Sequence, residues 1–417
     1  MNQTREFDVV IWGASGFTGK LVAEYLYTKY SSNHDLKWAI AGRDFSKLEL
    51  IRTEIADTKV PIIIADSNDM VSLNNMTKRT KVICTTVGPY AKFGSNLVSS
   101  CVDNQTHYCD LAGEVQWIRK MIDSHHDRAK ANGTKIVNSC GFDSIPSDMG
   151  VYFIQKKSIE IFKQRAKHIK MRVAGIKGGI SGGTYASLSN VNKEAFKDKY
   201  IFDLVINPYG LNPIGDPKGL DKYDLRKIIY DKASNSWIGP FVMAAINTKI
   251  VRRSNALNGY LYGKDFMYDE ATLSGRGLKG RLKAYMSVIP LVLLMSAKPG
   301  SFLKKIIDTI LPKPGQGPDR KNRKKGFYNL RFYIKLEDES NTFAKVKGDM
   351  DPGYGSTSKM LGETAVCLAK DLLPSSSGVL TPSIAMGDAL LNRLQKNAGL
   401  TFSFNKINNN DSKNLKW

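Results

Sequence analysis

The sequence predicts an α/β protein: a doubly wound parallel sheet of the Rossmann type, followed by a second, α+β substrate domain. Three observations predict it. A short apolar run, V-V-I-W, enters G-A-S-G-F-T-G at Gly13 to Gly19, and apolar strand segments then alternate with helical patterns as far as Asn138. Beyond Met149 the alternation gives way to glycine-rich turns and a hairpin pattern. The expected division is 1–148 for a nucleotide-binding domain, 149–352 for the substrate domain, and 353–417 for C-terminal helices that return to the first domain.

Composition bounds the reading. A chain of 417 residues with 42% hydrophobic content has room for two full cores. Its five cysteines contain no C-x-x-C pair, so neither a zinc site nor a disulfide framework is expected. The N-terminal M-N-Q-T-R-E-F-D carries acidic residues and runs straight into a strand, which predicts no cleaved leader and a cytoplasmic, reducing setting. The formal charge of +22 suits anionic partners. No nucleic-acid-binding motif accompanies it, however, and a lysine-rich proteome gives the same balance.

In chain order, the glycines come first. Gly13 suits a tight turn, Gly16 a close approach to a pyrophosphate, and Gly19 a helix packed close on the strand, with the anion at the helix N-terminus. Gly13, Ala14, Ser15, Gly16, Phe17, Thr18 and Gly19 are therefore candidate cofactor residues; the alternative is a merely structural turn. Lys37 to Ala41 reads as the second strand and ends in A-G-R-D. Where an acidic residue would hold an NAD ribose, Arg43 stands instead and points to the 2′-phosphate of NADP, while Asp44 keeps NAD open. Pro61 to Ala65 is the third strand, with Asp66 expected beside the adenine. Val82 to Val87 is the fourth and runs into Gly88, Pro89 and Tyr90. Val87, Gly88 and Pro89 are expected near the nicotinamide ribose, because ligands of such sheets lie at the carboxyl ends of the strands. Two more strands follow, Thr106 to Leu111 and Lys135 to Asn138. Past their ends lie Glu114 and Asp143, each either a cleft residue or a helix cap, whereas His107 reads as a satisfied strand histidine.

In the second part, K-G-G-I-S-G-G-T at 177–184 lacks the closing Gly-Lys-Ser/Thr of a phosphate loop, so its glycines mark a strand approached by another backbone or a flat ligand. Tyr328 to Leu336 and Thr342 to Lys347 form the hairpin. The uncharged run 284–297 is too short to span a bilayer, is expected to be broken by Pro290, and is flanked by lysines. A membrane interface, the rim of a lipid pocket, a buried helix and a homodimer contact all remain open for it. Leu311 to Gly326 reads as a flexible segment, and the last residues as a frayed tail.

Taken together, G-A-S-G-F-T-G at 13–19, A-G-R-D at 41–44, V-G-P-Y-x-x-F-G at 87–94, D-L-A-G-E at 110–114, S-C-G-F-D-S-I-P-S-D at 139–148, S-G-G-T at 181–184 and G-V-L-T-P at 378–382 resemble the saccharopine dehydrogenase-like oxidoreductases. Within them the resemblance is to the branch of the trans-acting enoyl reductases. It implies an NADP-dependent reductase of lipid-related metabolism, reducing a C=C bond of an acyl or polyketide-derived substrate. It also implies peripheral contact with a membrane or lipid droplet, as in vertebrate relatives, and it carries no catalytic assignment.

Reduction of an enoyl thioester needs a hydrogen-bond donor for the developing oxyanion and a proton for the α-carbon. Position alone nominates Tyr90 first as donor, then Asp143 and Ser144. Two other readings stand beside this one. One is reduction of an imine or keto group on an amino-acid-like substrate, for which Arg172, Arg252 and Arg253 are the candidate carboxylate ligands. The other is a nucleotide-binding scaffold at lipid surfaces without turnover.

Overall fold

Six residues, Phe7–Trp12, form strand β1, and all six are buried, as the centre of a parallel sheet covered on both faces requires. Around it assemble β2 (Trp38–Gly42), β3 (Ile62–Ile64), β4 (Thr80–Thr85), β5 (His107–Cys109) and β6 (Lys135–Val137). All pair in parallel, in the order β6-β5-β4-β1-β2-β3. The order reverses between β1 and β4, which opens a crevice at the carboxyl ends of those two strands. The structure is a computed structural model and describes residues 5–31, 35–55, 59–178, 182–296 and 317–405, with Ser301, Phe302, Lys305 and Thr309.

The second sheet is mixed. It contains β7 (Ala166–Lys177), β8 (Ile229–Asp231), β9 (Ser236–Gly239), β10 (Met267–Gly275), β11 (Phe327–Leu336) and β12 (Asn341–Gly348). Strands β11 and β12 form the expected hairpin. Two further strands complete the pair of sheets: β13 (Gly378–Leu380) adds to β6 as a seventh parallel strand, and β14 (Leu400–Asn405) adds to β12. The sheets are thus interlocked, because the chain leaves the second, returns to the edge of the first, and ends in the second.

Helices carry the core from one sheet to the other. Helix Ile145–Phe162 follows β6 and lies under the second sheet, where Gly150 meets Phe332 so closely that a Cβ would come within 2.9 Å of the ring. Helix Thr357–Lys370 packs on β1, β4 and β5 and on helix Phe17–Tyr30. One hydrophobic cluster consequently runs from Val9 and Ile11 through Met360 and Leu361 to Ile169 and Phe332.

Three expectations need correction. Pro290 does not break the apolar run, since helix Gly277–Ser296 continues through it. Part of the segment expected to be flexible is ordered, because Asp319 caps a helical turn at Arg320–Lys324 by accepting the Asn322 N–H; residues 311–316 lie outside the described residues. Asn405, expected in the tail, ends β14, and the remainder of the tail lies outside the described residues.

The C-terminal helices are fastened by a buried carboxylate. Glu363 accepts from Tyr25 Oη at 2.6 Å, Tyr30 Oη at 2.5 Å, and Arg393 Nη1 and Asn397 Nδ2 at 3.1 Å each. Glu363→Ala removes one partner from four donors and is expected to cost roughly 3 kcal/mol, measured by chemical denaturation, with Glu363→Gln recovering part of the loss.

Candidate active site

The glycine turn is held by its own backbone. Gly13 has φ +88°, the left-handed region, and a Cβ there would lie 2.5 Å from Val87 Cγ2. A Cβ on Gly19 would lie 2.2 Å from the Gly13 carbonyl oxygen, so only glycine lets the helix sit this close to β1. Gly16 is the N-cap of helix Phe17–Tyr30 and, lacking a side chain, leaves the first N–H groups of that helix without a side-chain cap. These groups form an anion-binding end. The Phe17 ring stands edge-on to Tyr354 at 4.7 Å.

Arg43 stands exposed at the end of β2, on the same cavity. Asp44 is engaged elsewhere, since its carboxylate accepts the Lys47 N–H at 3.1 Å, caps helix Phe45–Glu54, and is held below its usual range by that bond. The acidic residue that would favour a free ribose hydroxyl is thus occupied, and the exposed cation beside it suits a phosphate.

Across the crevice, Tyr90 follows the β4 turn. Its phenol accepts the Leu111 N–H at 3.1 Å and donates toward the Thr85 carbonyl at 3.4 Å, while its ring stacks on Trp117 at 5.5 Å. Burial pushes the phenol well above its usual range. The hydroxyl is spent on strand ends, which argues against its expected role as oxyanion donor. Ser144 is also turned away: it is fully buried and donates to Asn247 Oδ1 at 3.1 Å. Glu114 proves to be a brace, accepting Tyr90 N–H at 2.7 Å, Ala91 N–H at 3.1 Å and Ser187 Oγ–H at 2.9 Å, and burial raises its carboxyl. His107 accepts the Lys135 N–H at 3.1 Å and is driven to about 4 by burial, a satisfied strand histidine.

Asp143 differs from all of these. It lines the cavity, its carboxyl has no side-chain partner among the described residues, and burial, reinforced by Asp110, raises it to about 7. Asp110 itself is held by Tyr108, Asn138 and the N–H groups of Ala112 and Ser139.

The cavity encloses about 420 Å³. Of the expected residues it brings together Gly13, Ser15, Gly16, Phe17, Thr18, Arg43, Val87, Gly88, Tyr90 and Asp143. Ala14 and Gly19 lie behind the turn, and Pro89 caps the short helix Tyr90–Phe93. Asp66 folds back to accept the Asn68 N–H at 2.8 Å, leaving Ser67 on the wall. The far wall has no signal in the sequence. Leu188, Val242, Met243 and Ile246 come from helices Gly182–Ala195 and Ala244–Leu257 and the turn before the latter, Tyr354 from the π-helical turn Pro352–Ser356 after β12, and Thr357 from the start of helix Thr357–Lys370. Arg43 and Asp143 are the charged side chains among its described lining residues. Arg172, Arg252 and Arg253 are elsewhere, buried against Asp231 and Asp269, against Asp221, and against the carbonyls of Leu211 and Val379.

A parallel sheet with this strand order, a glycine turn at its switch point and an arginine at the end of β2 define a dinucleotide-dependent oxidoreductase. The sequence profile of the saccharopine dehydrogenase NADP-binding domain matches residues 9–137. Over 94% of its length and 96% of theirs, the chain is 36% identical to a Mycobacterium tuberculosis protein provisionally assigned as a trans-acting enoyl reductase. It is 35% identical to the trans-acting enoyl reductase of Mycobacterium bovis over the same shares of both chains. Saccharopine dehydrogenase (L-Glu forming) of Saccharomyces cerevisiae shares the fold, with a TM-score of 0.53 at 13% identity, covering 96% of this chain and 99% of that one. The chain belongs to the saccharopine dehydrogenase-like oxidoreductases, in the group of the trans-acting enoyl reductases. It is an NAD(P)-dependent enzyme with an NADP-binding domain.

If Arg43 meets the 2′-phosphate, Arg43→Ala should weaken NADPH binding about 10- to 100-fold, the worth of a charge-assisted hydrogen bond, and leave NADH binding unchanged. Fluorescence titration of both cofactors checks this; equal weakening would remove Arg43 from phosphate recognition.

Proposed function

We propose that this chain is an NADPH-dependent reductase of the C=C bond in an α,β-unsaturated acyl or polyketide-derived thioester. The observation that carries the reading is the character of the cavity beyond the glycine turn. Its apolar lining is Phe93, Leu111, Leu188, Val242, Met243 and Ile246, beside Ser187, Tyr354 and Thr357, with Asp143 as the ionisable carboxyl among them. Such walls favour an acyl chain by burial of apolar surface. The names of the mycobacterial relatives support the same reaction.

NADPH, when bound, supplies the hydride. The residues that would hold it are the Gly13 to Gly19 turn, with the uncapped helix end toward the pyrophosphate, Arg43 toward the 2′-phosphate, and Val87 and Gly88 toward the nicotinamide side. Asp143 holds the proton that the α-carbon needs. Raised to about 7, it is protonated below neutrality and becomes a carboxylate as the pH rises through that value. A general acid of this kind contributes about 10²–10⁴-fold.

Reduction of an amino-acid-like imine or keto substrate is less well supported. Its carboxylates need cations, and the three arginines nominated for them are bound to carboxylates and carbonyls away from the cavity. A scaffold without turnover gives no reason for an unpartnered carboxyl set in the cavity wall at Asp143.

Consumption of NADPH with an enoyl thioester tests the reaction, and two variants test the roles. Asp143→Asn should lower turnover about 100-fold or more, leave NADPH affinity intact and abolish the fall in rate above about pH 7 that is expected of the wild type. Tyr90→Phe should cost about 1 kcal/mol of stability through the lost hydrogen bond while keeping most of the turnover. The reverse pattern would return the donor role to Tyr90.

A further inference from the structure

The run S-C-G-F-D-S-I-P-S-D at 139–148 sends its polar side chains to different places. Asp143 lines the cavity. Ser144 Oγ donates to Asn247 Oδ1 at 3.1 Å, Ser147 Oγ donates to Glu270 Oε1 at 2.6 Å, and Asp148 accepts from Ser254 Oγ at 2.5 Å. Three of these residues are thereby fastened to helix Ala244–Leu257 and to β10. Asn247 Nδ2 closes a ring of bonds by donating to Glu270 Oε2 at 2.9 Å, and Tyr268 Oη donates to Glu270 Oε1 at 2.7 Å. Ser144, Ser147, Asn247 and Glu270 are each at most 2% exposed, so water does not compete for the ring.

Asn247 stands where this ring meets the cavity. Met243, Ala245 and Ile246, just before it in the chain, line the cavity, and so does Asp143, just before Ser144. The Ser144–Asn247 bond therefore joins the neighbour of the carboxyl to the neighbour of the apolar wall. An amide suits the place, because its oxygen accepts from the serine while its NH₂ donates to the carboxyl, and the two demands together fix one orientation. On the other side of Asp143, the Phe142 N–H donates to Thr357 Oγ1 at 3.0 Å. The carboxyl is thus carried between two anchors, one on helix Thr357–Lys370 and one on helix Ala244–Leu257.

We propose that Asn247 is a positioning residue for the reduction: held by Ser144 and Glu270, it fixes the Asp143 carboxyl against the apolar wall formed by Met243 and Ile246. The proposal rests on the reading of Asp143 as the proton donor. Asn247 acts through the loop and not on the reacting atoms. Without its amide, the helix and the loop lose the bond that holds them together, and water gains access to Asp143. Burial is the first cause that raises this carboxyl and Asp110 the second; Tyr90 also faces it, and Arg43 is the other charged side chain among the described lining residues. Access to water therefore moves its titration toward the ordinary carboxylate range.

The test is a double-mutant cycle of Asn247→Ala and Asp143→Asn in the full chain, read as NADPH consumption with an enoyl thioester across a range of pH. Asn247→Ala alone should lower kcat about tenfold or more and shift the fall in rate to lower pH, with circular dichroism and NADPH affinity unchanged. Added to Asp143→Asn, which has already lost the proton, it should cost about twofold at most. Ser144→Ala breaks the same link while leaving the bonds to Glu270, and should give the same pattern should Asn247→Ala fail to fold. Equal losses in the two backgrounds, or a fall in rate that stays at the wild-type pH in both Asn247→Ala and Ser144→Ala, overturn the proposal and leave Asn247 a structural residue. Wild-type turnover in the Asp143→Asn single variant is a different failure, since it overturns the reading of Asp143 and the proposal with it.

Discussion

Everything in the site follows from the closeness of helix Phe17–Tyr30 to the end of β1. The missing side chain of Gly19, where a Cβ would lie 2.2 Å from the Gly13 carbonyl oxygen, permits that approach. The positive φ of Gly13 turns the chain into it. The approach aims the uncapped helix end at the crevice beside Thr86 and Val87. It also sets the far side of the helix where Tyr25 and Tyr30 reach Glu363. One close contact thereby couples the cofactor end of the cavity to the C-terminal helices.

The parts legible in the sequence are those fixed by local pattern. β1 to β6 are short apolar runs closed by small or polar residues, and hairpin β11–β12 alternates over part of its length, as in Tyr328, Leu330 and Phe332; both patterns report burial directly. β10 is not legible, since M-Y-D-E-A-T-L-S-G places Asp269 and Glu270 mid-strand. Those carboxyls are tolerated because Arg172 and His168 pair with the first, and Ser147, Asn247 and Tyr268 hydrogen-bond the second. Every one of these partners but Tyr268 is distant in sequence. The wall Leu188, Met243 and Ile246 is hidden for the same reason, because an apolar residue on a helix looks alike whether it faces a core or a cavity.

The carboxylates show where sequence reasoning runs out. Asp44, Glu114 and Asp143 all stand just past strand ends, in positions that pattern alone cannot distinguish. Their partners separate them. Asp44 has a backbone N–H within its own helix, Glu114 has two N–H groups and a serine hydroxyl, and Asp143 has no side-chain partner among the described residues. A carboxyl whose oxygens are taken up by donors of other elements is structural, whereas one that lines a cavity with no such side chain keeps its proton at a desolvation cost.

That cost connects the acid to the substrate. On the proposed reading, the desolvation that raises Asp143 and the apolar residues of the same cavity act together, the first holding a proton and the second favouring an apolar ligand. A substrate bearing carboxylates would have to bury them beside Asp143 without the help of Arg172, Arg252 or Arg253, and would push its proton affinity higher still. An uncharged thioester carries no such penalty and completes the exclusion of water when it binds. In the proposed reduction, the proton on Asp143 and the preference for an uncharged chain would both follow from setting apolar helices over the strand ends.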